Sequence, residues 1–153
     1  MNIIPTSLEG LLIIEPNVFG DTRGYFLETY HQRRYQSAGL DATFVQDNLS
    51  FSKKGTLRGL HFQFTQPQAK LVQAITGKIF DVAVDIRKGS STFGKWVGVE
   101  LSEQNRHMIY IPPGFAHGFV VLSDTAIFSY KCDNYYNKES EGGIVYNDSN
   151  LDI

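Results

Sequence analysis

Two of the four histidines stand where an imidazole has chemical consequences. His61 lies in Leu57-Arg58-Gly59-Leu60-His61-Phe62-Gln63 and His117 in Pro112-Pro113-Gly114-Phe115-Ala116-His117-Gly118-Phe119. A ring among such large apolar neighbours must find a partner or give up its charge. For either one alone, a satisfied core histidine is favoured about two to one over a functional role. His31, in a short helical stretch, and His107, at a strand start beside Arg106, read as solvated surface imidazoles. If His61 shared a pocket with Arg58, Lys70, Asp81 and Tyr130, the chemistry would be proton abstraction next to a carbonyl. The neutral imidazole takes the proton, the ammonium stabilises the oxyanion and the phenol returns a proton. Each also has an ordinary reading: Lys70 as a solvated strand-end lysine, Tyr130 as a core aromatic with a wet hydroxyl, Asp81 as a solvent-facing strand residue.

The spacing around the two histidines raises the odds of a site. Gly55, five residues and His61 resemble the opening of the first cupin motif, and Pro112-Pro113-Gly114-Phe115-Ala116-His117 fits the Pro-x-Gly-x-x-His core of the second. Metal-binding cupins require a further histidine two residues after the first, plus a carboxylate. Gln63 occupies the former position here, and no Asp or Glu follows closely. Two imidazoles without such company make a poor divalent-ion site, so no metal and no cofactor are expected, and His61 is left free for proton transfer.

Such groups need a rigid scaffold, and the pattern supplies one. Short β-branched and aromatic segments separated by Gly, Pro, Asn, Asp and Ser predict strands at Leu11–Ile14, Tyr25–Thr29, Thr43–Asp47, Thr56–Phe62, Lys70–Ile75, Lys78–Arg87, Lys95–Leu101, His107–Ile111, Gly118–Leu122 and Ile127–Lys131. The period of two is plainest in Lys78–Arg87, where Phe80, Val82, Val84 and Ile86 alternate with Asp81, Ala83 and Asp85. It also places Lys70 with Val72 and Ala74, and Tyr130 with Phe128. His31–Ala38, ending at Gly39, is the one short surface helix. Arg87-Lys88-Gly89-Ser90-Ser91, Ile111-Pro112-Pro113-Gly114 and Glu141-Gly142-Gly143 read as tight turns. The expected architecture is all-β, a sandwich or barrel, in one domain over residues 1–153.

Composition narrows the function classes. With 14 Lys plus Arg against 16 Asp plus Glu and only short basic pairs, Arg33-Arg34 and Lys53-Lys54, no bulk attraction for nucleic acid is expected. There is no apolar run of membrane-spanning length, no basic-then-apolar leader and a single Cys132, which together predict a cytoplasmic protein without membrane contact.

Longer runs carry a closer resemblance: Glu15-Pro16-Asn17-Val18-Phe19-Gly20-Asp21-Thr22-Arg23-Gly24, Phe44-Val45-Gln46-Asp47-Asn48, the His61 and His117 segments, and Phe80-Asp81-Val82-Ala83-Val84-Asp85-Ile86-Arg87. Together they are similar to the dTDP-4-dehydrorhamnose 3,5-epimerase family, across nearly the whole chain. The resemblance implies a cupin-type jelly-roll barrel (double-stranded β-helix), a homodimer, and action on dTDP-4-dehydro-6-deoxy-D-glucose without metal or cofactor. It implies His61 as the base at C3 and C5, Tyr130 as the acid on the opposite face, Lys70 at the enolate oxygen, and Asp81 accompanying them through Lys70 or His61. Arg23, Glu28, Gln46, Asn48, Arg58, His117 and Glu141 fall on substrate-binding positions, and Tyr136 on the aromatic that stacks on thymine. Cationic Arg23 and Arg58 suit a diphosphate and an aromatic face suits a flat base.

Strict alternation sets Arg58 and His61 on opposite faces of one strand. A bulge at Gly59, or service of Arg58 to a neighbouring subunit, would reconcile them. The N-terminal strand at Leu11–Ile14 is a candidate exchanged or edge element. Family members usually continue beyond the equivalent of Leu151-Asp152-Ile153 into a Trp-Pro segment and a Lys-Asp pair, whose aspartate helps orient the catalytic histidine and whose lysine joins the binding set. Here either substitutes such as Asp81 serve, or the enzyme is slower, altered in regiochemistry or incomplete. Other functions on this scaffold are a single-site 3- or 5-epimerase, a ketoisomerase on a dTDP-4-keto sugar, or a non-catalytic nucleotide-sugar-binding cupin. A metal-dependent cupin oxygenase is the least favoured because of Gln63.

Overall fold

A computed structural model describes residues 1–153. The strands are β1 (Asn2–Pro5), β2 (Leu12–Glu15), β3 (Val18–Asp21), β4 (Gly24–Leu27), β5 (Gln46–Lys53), β6 (Leu57–Gln63), β7 (Lys70–Thr76), β8 (Lys78–Asp85), β9 (Trp96–Ser102), β10 (Met108–Ile111), β11 (Phe115–Val121), β12 (Thr125–Cys132) and β13 (Glu141–Gly143). One α-helix, α1 (Gln32–Ser37), and a 3-10 turn at Lys138–Ser140 complete the elements. A six-stranded sheet in the order β1-β2-β10-β7-β12-β5 faces a five-stranded sheet, β13-β6-β11-β8-β9, and β3 and β4 form a separate hairpin. The pairs are antiparallel throughout, the jelly-roll barrel of the cupin type. No helix is long and apolar enough to cross a membrane.

Apolar side chains from both sheets fill the closed part of the barrel, among them Val72, Ala74, Ile79, Ala83, Ile109, Phe119 and Phe128. The Lys70 face of β7 and the Tyr130 face of β12 are thereby turned inward, as the alternation predicts. In β8 both faces are covered. Ile79 and Ala83 join the barrel interior, while Val82 and Val84 pack outside under Trp96, Ile144 and Leu151. Asp81 is therefore wholly buried rather than solvent-facing.

Several expectations are revised. β2 is interior to its sheet, paired with both β1 and β10, so β1 is the edge strand. Glu141-Gly142-Gly143 is a strand rather than a turn: it pairs with Gln63, Phe62 and His61, and any Cβ on Gly142 would meet the Phe62 and Phe64 rings. β5 runs later than Thr43–Asp47, because its inward residues Gln46, Asn48, Ser50 and Ser52 are polar while Leu49 and Phe51 face outward. β1 and β3 were not predicted; they are short, and β3 is exposed at every residue. His31 stands just before α1 with a buried Nδ1 that lacks a partner, and half-buried His107 lies 3.6 Å from Glu15.

Gly59 carries the bulge. His117 pairs with His61 and Phe119 with Arg58, so β6 spends three steps where β11 spends two. Gly59 has φ +132°, and a Cβ there would lie 2.9 Å from the His117 carbonyl oxygen. A Cβ on Gly118 would in turn lie 2.7 Å from the Arg58 carbonyl oxygen. The extra residue turns Arg58 and His61 to the same side.

At the far end of β8, the buried Asp85 carboxylate closes the following turn, accepting from Arg87 Nε and Nη2 at 2.9 and 2.8 Å and from Ser90 and Thr92 hydroxyls at 2.7 and 2.6 Å. The Arg87 guanidinium, with these other donors, holds Asp85 well below the ordinary carboxylate range. Its stabilisation is present above the unfolded-state value of about 4 and is lost as pH falls towards the folded-state value. Asp85→Asn should lower stability by about 2 kcal/mol at pH 7, with the gap to wild type narrowing below about pH 4. Urea denaturation of both proteins across that range checks this.

Candidate active site

One cavity of about 450 Å³ opens between the sheets, lined by Ser50, Leu57, Arg58, Gly59, His61, Lys70, His117, Gly118, Phe119, Phe128 and Tyr130. Five of the residues expected to do chemistry or bind substrate thus meet: His61 and Arg58 from β6, Lys70 from β7, His117 from β11 and Tyr130 from β12.

Burial sets the tone of this cavity. It pushes the Lys70 ammonium down from the ordinary lysine value, opposed by the charges of Asp81 and Glu141 and by nearby Cys132. It pushes the Tyr130 phenol up. The Lys70 Nζ lies 5.9 Å from the centre of the Tyr130 ring, so ammonium and phenol are neighbours. Arg58 is braced by its Nε donating to Ser52 Oγ at 3.1 Å. Buried Cys132, opposite Lys70 in the sheet, has its thiol pushed up to about 11 by burial and is no ready thiolate.

Asp81 differs from expectation. Its two oxygens lie 3.0 and 2.9 Å from His117 Nε2, and it makes no side-chain bond to Lys70 or His61. It sits opposite Phe119 in the β8–β11 pairing, and its side chain enters the barrel beside His117 rather than beside β6. The carboxylate closest to His61 is Glu141, with Oε1 3.9 Å from Nδ1. The other Glu141 oxygen accepts from the Tyr136 hydroxyl at 2.9 Å.

Tyr136 and the cavity rim are held by polar groups. Gln46 donates to Asn48 Oδ1 at 3.0 Å and accepts from the Tyr136 backbone N–H at 2.9 Å. Gln63 has a role the sequence reading missed. It is buried, accepts from Asn137 N–H at 2.8 Å and donates to the Gln66 carbonyl at 2.6 Å, so it pins the segment carrying Tyr136. Its only sequence signal is its occupation of a position that metal-binding cupins give to a ligand. Ser50, a cavity wall residue, and Ser52, the brace of Arg58, were also missed, because a lone serine in a strand carries no distinguishing signal.

Arg23 and Glu28 are not brought to this cavity. Arg23, at the β3–β4 turn, pairs with Asp21 at 2.6 Å and its side chain is 88% exposed, and Glu28 pairs with Arg34 at 2.9 Å. Nor do the residues present form a metal centre: no group of three or more His, Cys, Asp or Glu side chains is placed to hold an ion.

Barrel and cavity together define a cupin whose interior is equipped for general acid–base chemistry. The profile of the dTDP-4-dehydrorhamnose 3,5-epimerase family matches residues 5–153, and the chain belongs to that family. The dTDP-4-dehydrorhamnose 3,5-epimerase of Methanothermobacter thermautotrophicus is 55% identical over 98% of this chain and 81% of its own. A dTDP-4-dehydrorhamnose 3-epimerase of Streptomyces niveus is 39% identical over 100% of this chain and 75% of its own. The crystal structure of dTDP-6-deoxy-D-glucose-3,5-epimerase from Legionella pneumophila in complex with dTDP-4-keto-L-rhamnose superposes with a TM-score of 0.97 at 56% identity, covering 99% of this chain and 81% of that one.

The opposite shifts of Lys70 and Tyr130 have a kinetic consequence. As pH rises, Lys70 gives up its charge below the ordinary lysine value of about 10.4, while Tyr130 keeps its proton. The alkaline limb of the rate profile should therefore belong to Lys70. Lys70→Met is expected to lower turnover by about 10²-fold or more and to remove that limb; an unchanged limb in the variant's pH–rate profile would assign it elsewhere.

Proposed function

We propose that the protein inverts C3 and C5 of dTDP-4-dehydro-6-deoxy-D-glucose to give dTDP-4-dehydro-L-rhamnose, without metal or cofactor. The observation that carries this is the meeting of an imidazole, a half-buried ammonium and a half-buried phenol in one cavity. It is supported by the family membership and by the keto sugar bound to the Legionella relative.

The C4 ketone acidifies the protons at C3 and C5. His61, with Nδ1 towards Glu141 and Nε2 free, takes the proton, and the electron pair moves onto the C4 oxygen as an enolate. Lys70 stabilises that oxyanion, and its partial burial strengthens the interaction. Tyr130 then delivers a proton to the opposite face, giving the inverted centre. The sequence repeats at the second carbon. Arg58 with Arg23 serves the diphosphate, Tyr136 stacks on thymine, and Gln46, Asn48, Glu28, His117 and Glu141 complete the binding set. The lone, buried Cys132 supports a cytoplasmic setting.

Proton NMR in D2O tests this directly. Deuterium should enter both C3 and C5 with wild type, and His61→Asn should abolish exchange at both; exchange at the wild-type rate would require another base. Tyr130→Phe should retain exchange better than inversion. Exchange at C3 alone would favour a single-site epimerase, the reading that the Streptomyces niveus relative supports. Migration of the ketone would mark a ketoisomerase, and binding without exchange a non-catalytic relative.

We further propose a homodimer in which the β3–β4 hairpin reaches the partner's cavity with Arg23 and Glu28. The hairpin exposes Val18, Phe19, Tyr25 and Phe26, and the outer face of β5 exposes Leu49 and Phe51. Apolar surface of that kind favours association. Mixing inactive Arg23→Ala and His61→Asn proteins should then restore about a quarter of wild-type activity, since random pairing makes half the dimers mixed, each with one intact site. No recovery after verified subunit exchange would place Arg23 in its own chain's site.

A further inference from the structure

We propose that Asp81 is a positioning residue acting through His117: it takes the Nε2 proton, leaving Nδ1 as a hydrogen-bond acceptor that orients a hydroxyl of the bound hexose.

Asp81 is 0% exposed and His117 7% exposed, and both carboxylate oxygens lie within 3.0 Å of Nε2. The carboxylate has no other side-chain donor, so the nitrogen facing it must carry hydrogen. The ring is further fixed by near-parallel stacking on Phe128, with centres 6.1 Å apart. Nδ1 makes no hydrogen bond within the chain, yet it is not among the buried atoms lacking partners, so it retains surface. The surface His117 shows is the wall of the cavity that also holds His61, Lys70 and Tyr130.

Lys70 and Arg58 already supply hydrogen-bond donors to that cavity. With Nε2–H committed, the lone pair of Nδ1 points at ligand, as the carboxylate-oriented imidazole does in hydrolytic triads. A cavity rich in donors thus gains one acceptor. A ring hydroxyl satisfies it, whereas the diphosphate oxygens and the C4 ketone, which only accept, do not.

The assignment rests on the hexose-binding reading of this cavity, and its test does not need turnover. Long-range ¹H–¹⁵N spectra, with His117→Gln identifying the signals, should show the wild-type ring protonated at Nε2 alone at neutral pH. A proton on Nδ1, or on both nitrogens, overturns the proposal whether or not Asp81→Asn folds. Asp81→Asn, whose amide can donate as well as accept, should populate the Nδ1–H form. It should also weaken dTDP-glucose roughly tenfold, the size of one hydrogen bond, while leaving dTDP affinity unchanged. Equal loss for both ligands would make Asp81 a purely structural residue. Wild type that binds dTDP but gains nothing from the hexose would instead refute the hexose-binding reading, with the tautomer result unaffected.

Discussion

The approach of two backbones at Gly59 and Gly118 is the constraint on which the site depends. Neither position has room for a Cβ, and Gly59 also holds a positive φ. The contact gives β6 one residue more than β11 between the His61 and Arg58 pairings. Without that extra residue the pleat would send Arg58 and His61 to opposite sides of the sheet. With it, an imidazole and a guanidinium share one cavity, and Leu60 is turned outward into the cluster under Ile144 and Leu151.

Once the inward faces are chosen, burial differentiates the titrating groups. An ammonium and a phenol set in the same wall move in opposite directions, because desolvation disfavours whichever form is charged. Lys70 thereby becomes a cation whose charge is poorly screened, and Tyr130 a phenol that keeps its proton. Asp81 contributes one negative charge from behind His117, near enough to favour the Lys70 cation without bonding to it. Rigid strands hold all of these groups, so little reorganisation accompanies the appearance of charge on a bound ligand.

The rim of the cavity is built differently, on loops clamped by amides. Gln63 and Gln46 tie down the segment carrying Tyr136, and Gln68 and Asn134 tie it to the approach to Lys70. Asp133 accepts from Ala69 N–H at 2.6 Å, fixing the residue before Lys70. The position that would serve a metal in other cupins has become a structural clamp. Glu141 links the two regions, since it touches both Tyr136 and His61.

The sequence by itself determined the strands whose inward face is apolar, and β8, β7 and β12 are legible for that reason. It also determined the two histidine motifs, because their glycines and prolines dictate local backbone geometry that no other residues supply. It read β5 poorly, since a strand lining a wet cavity inverts the usual rule and puts Asn48 and Ser50 inside with Leu49 and Phe51 outside. It missed β13 because Gly142 pairs through backbone alone. Only the tertiary structure decided that Asp81 belongs to His117 and that Arg23 does not line the cavity. Those are facts about strand neighbours and hairpin placement. Alternation gives a residue its face, but the partner on that face comes from strand order, which side-chain periodicity does not encode.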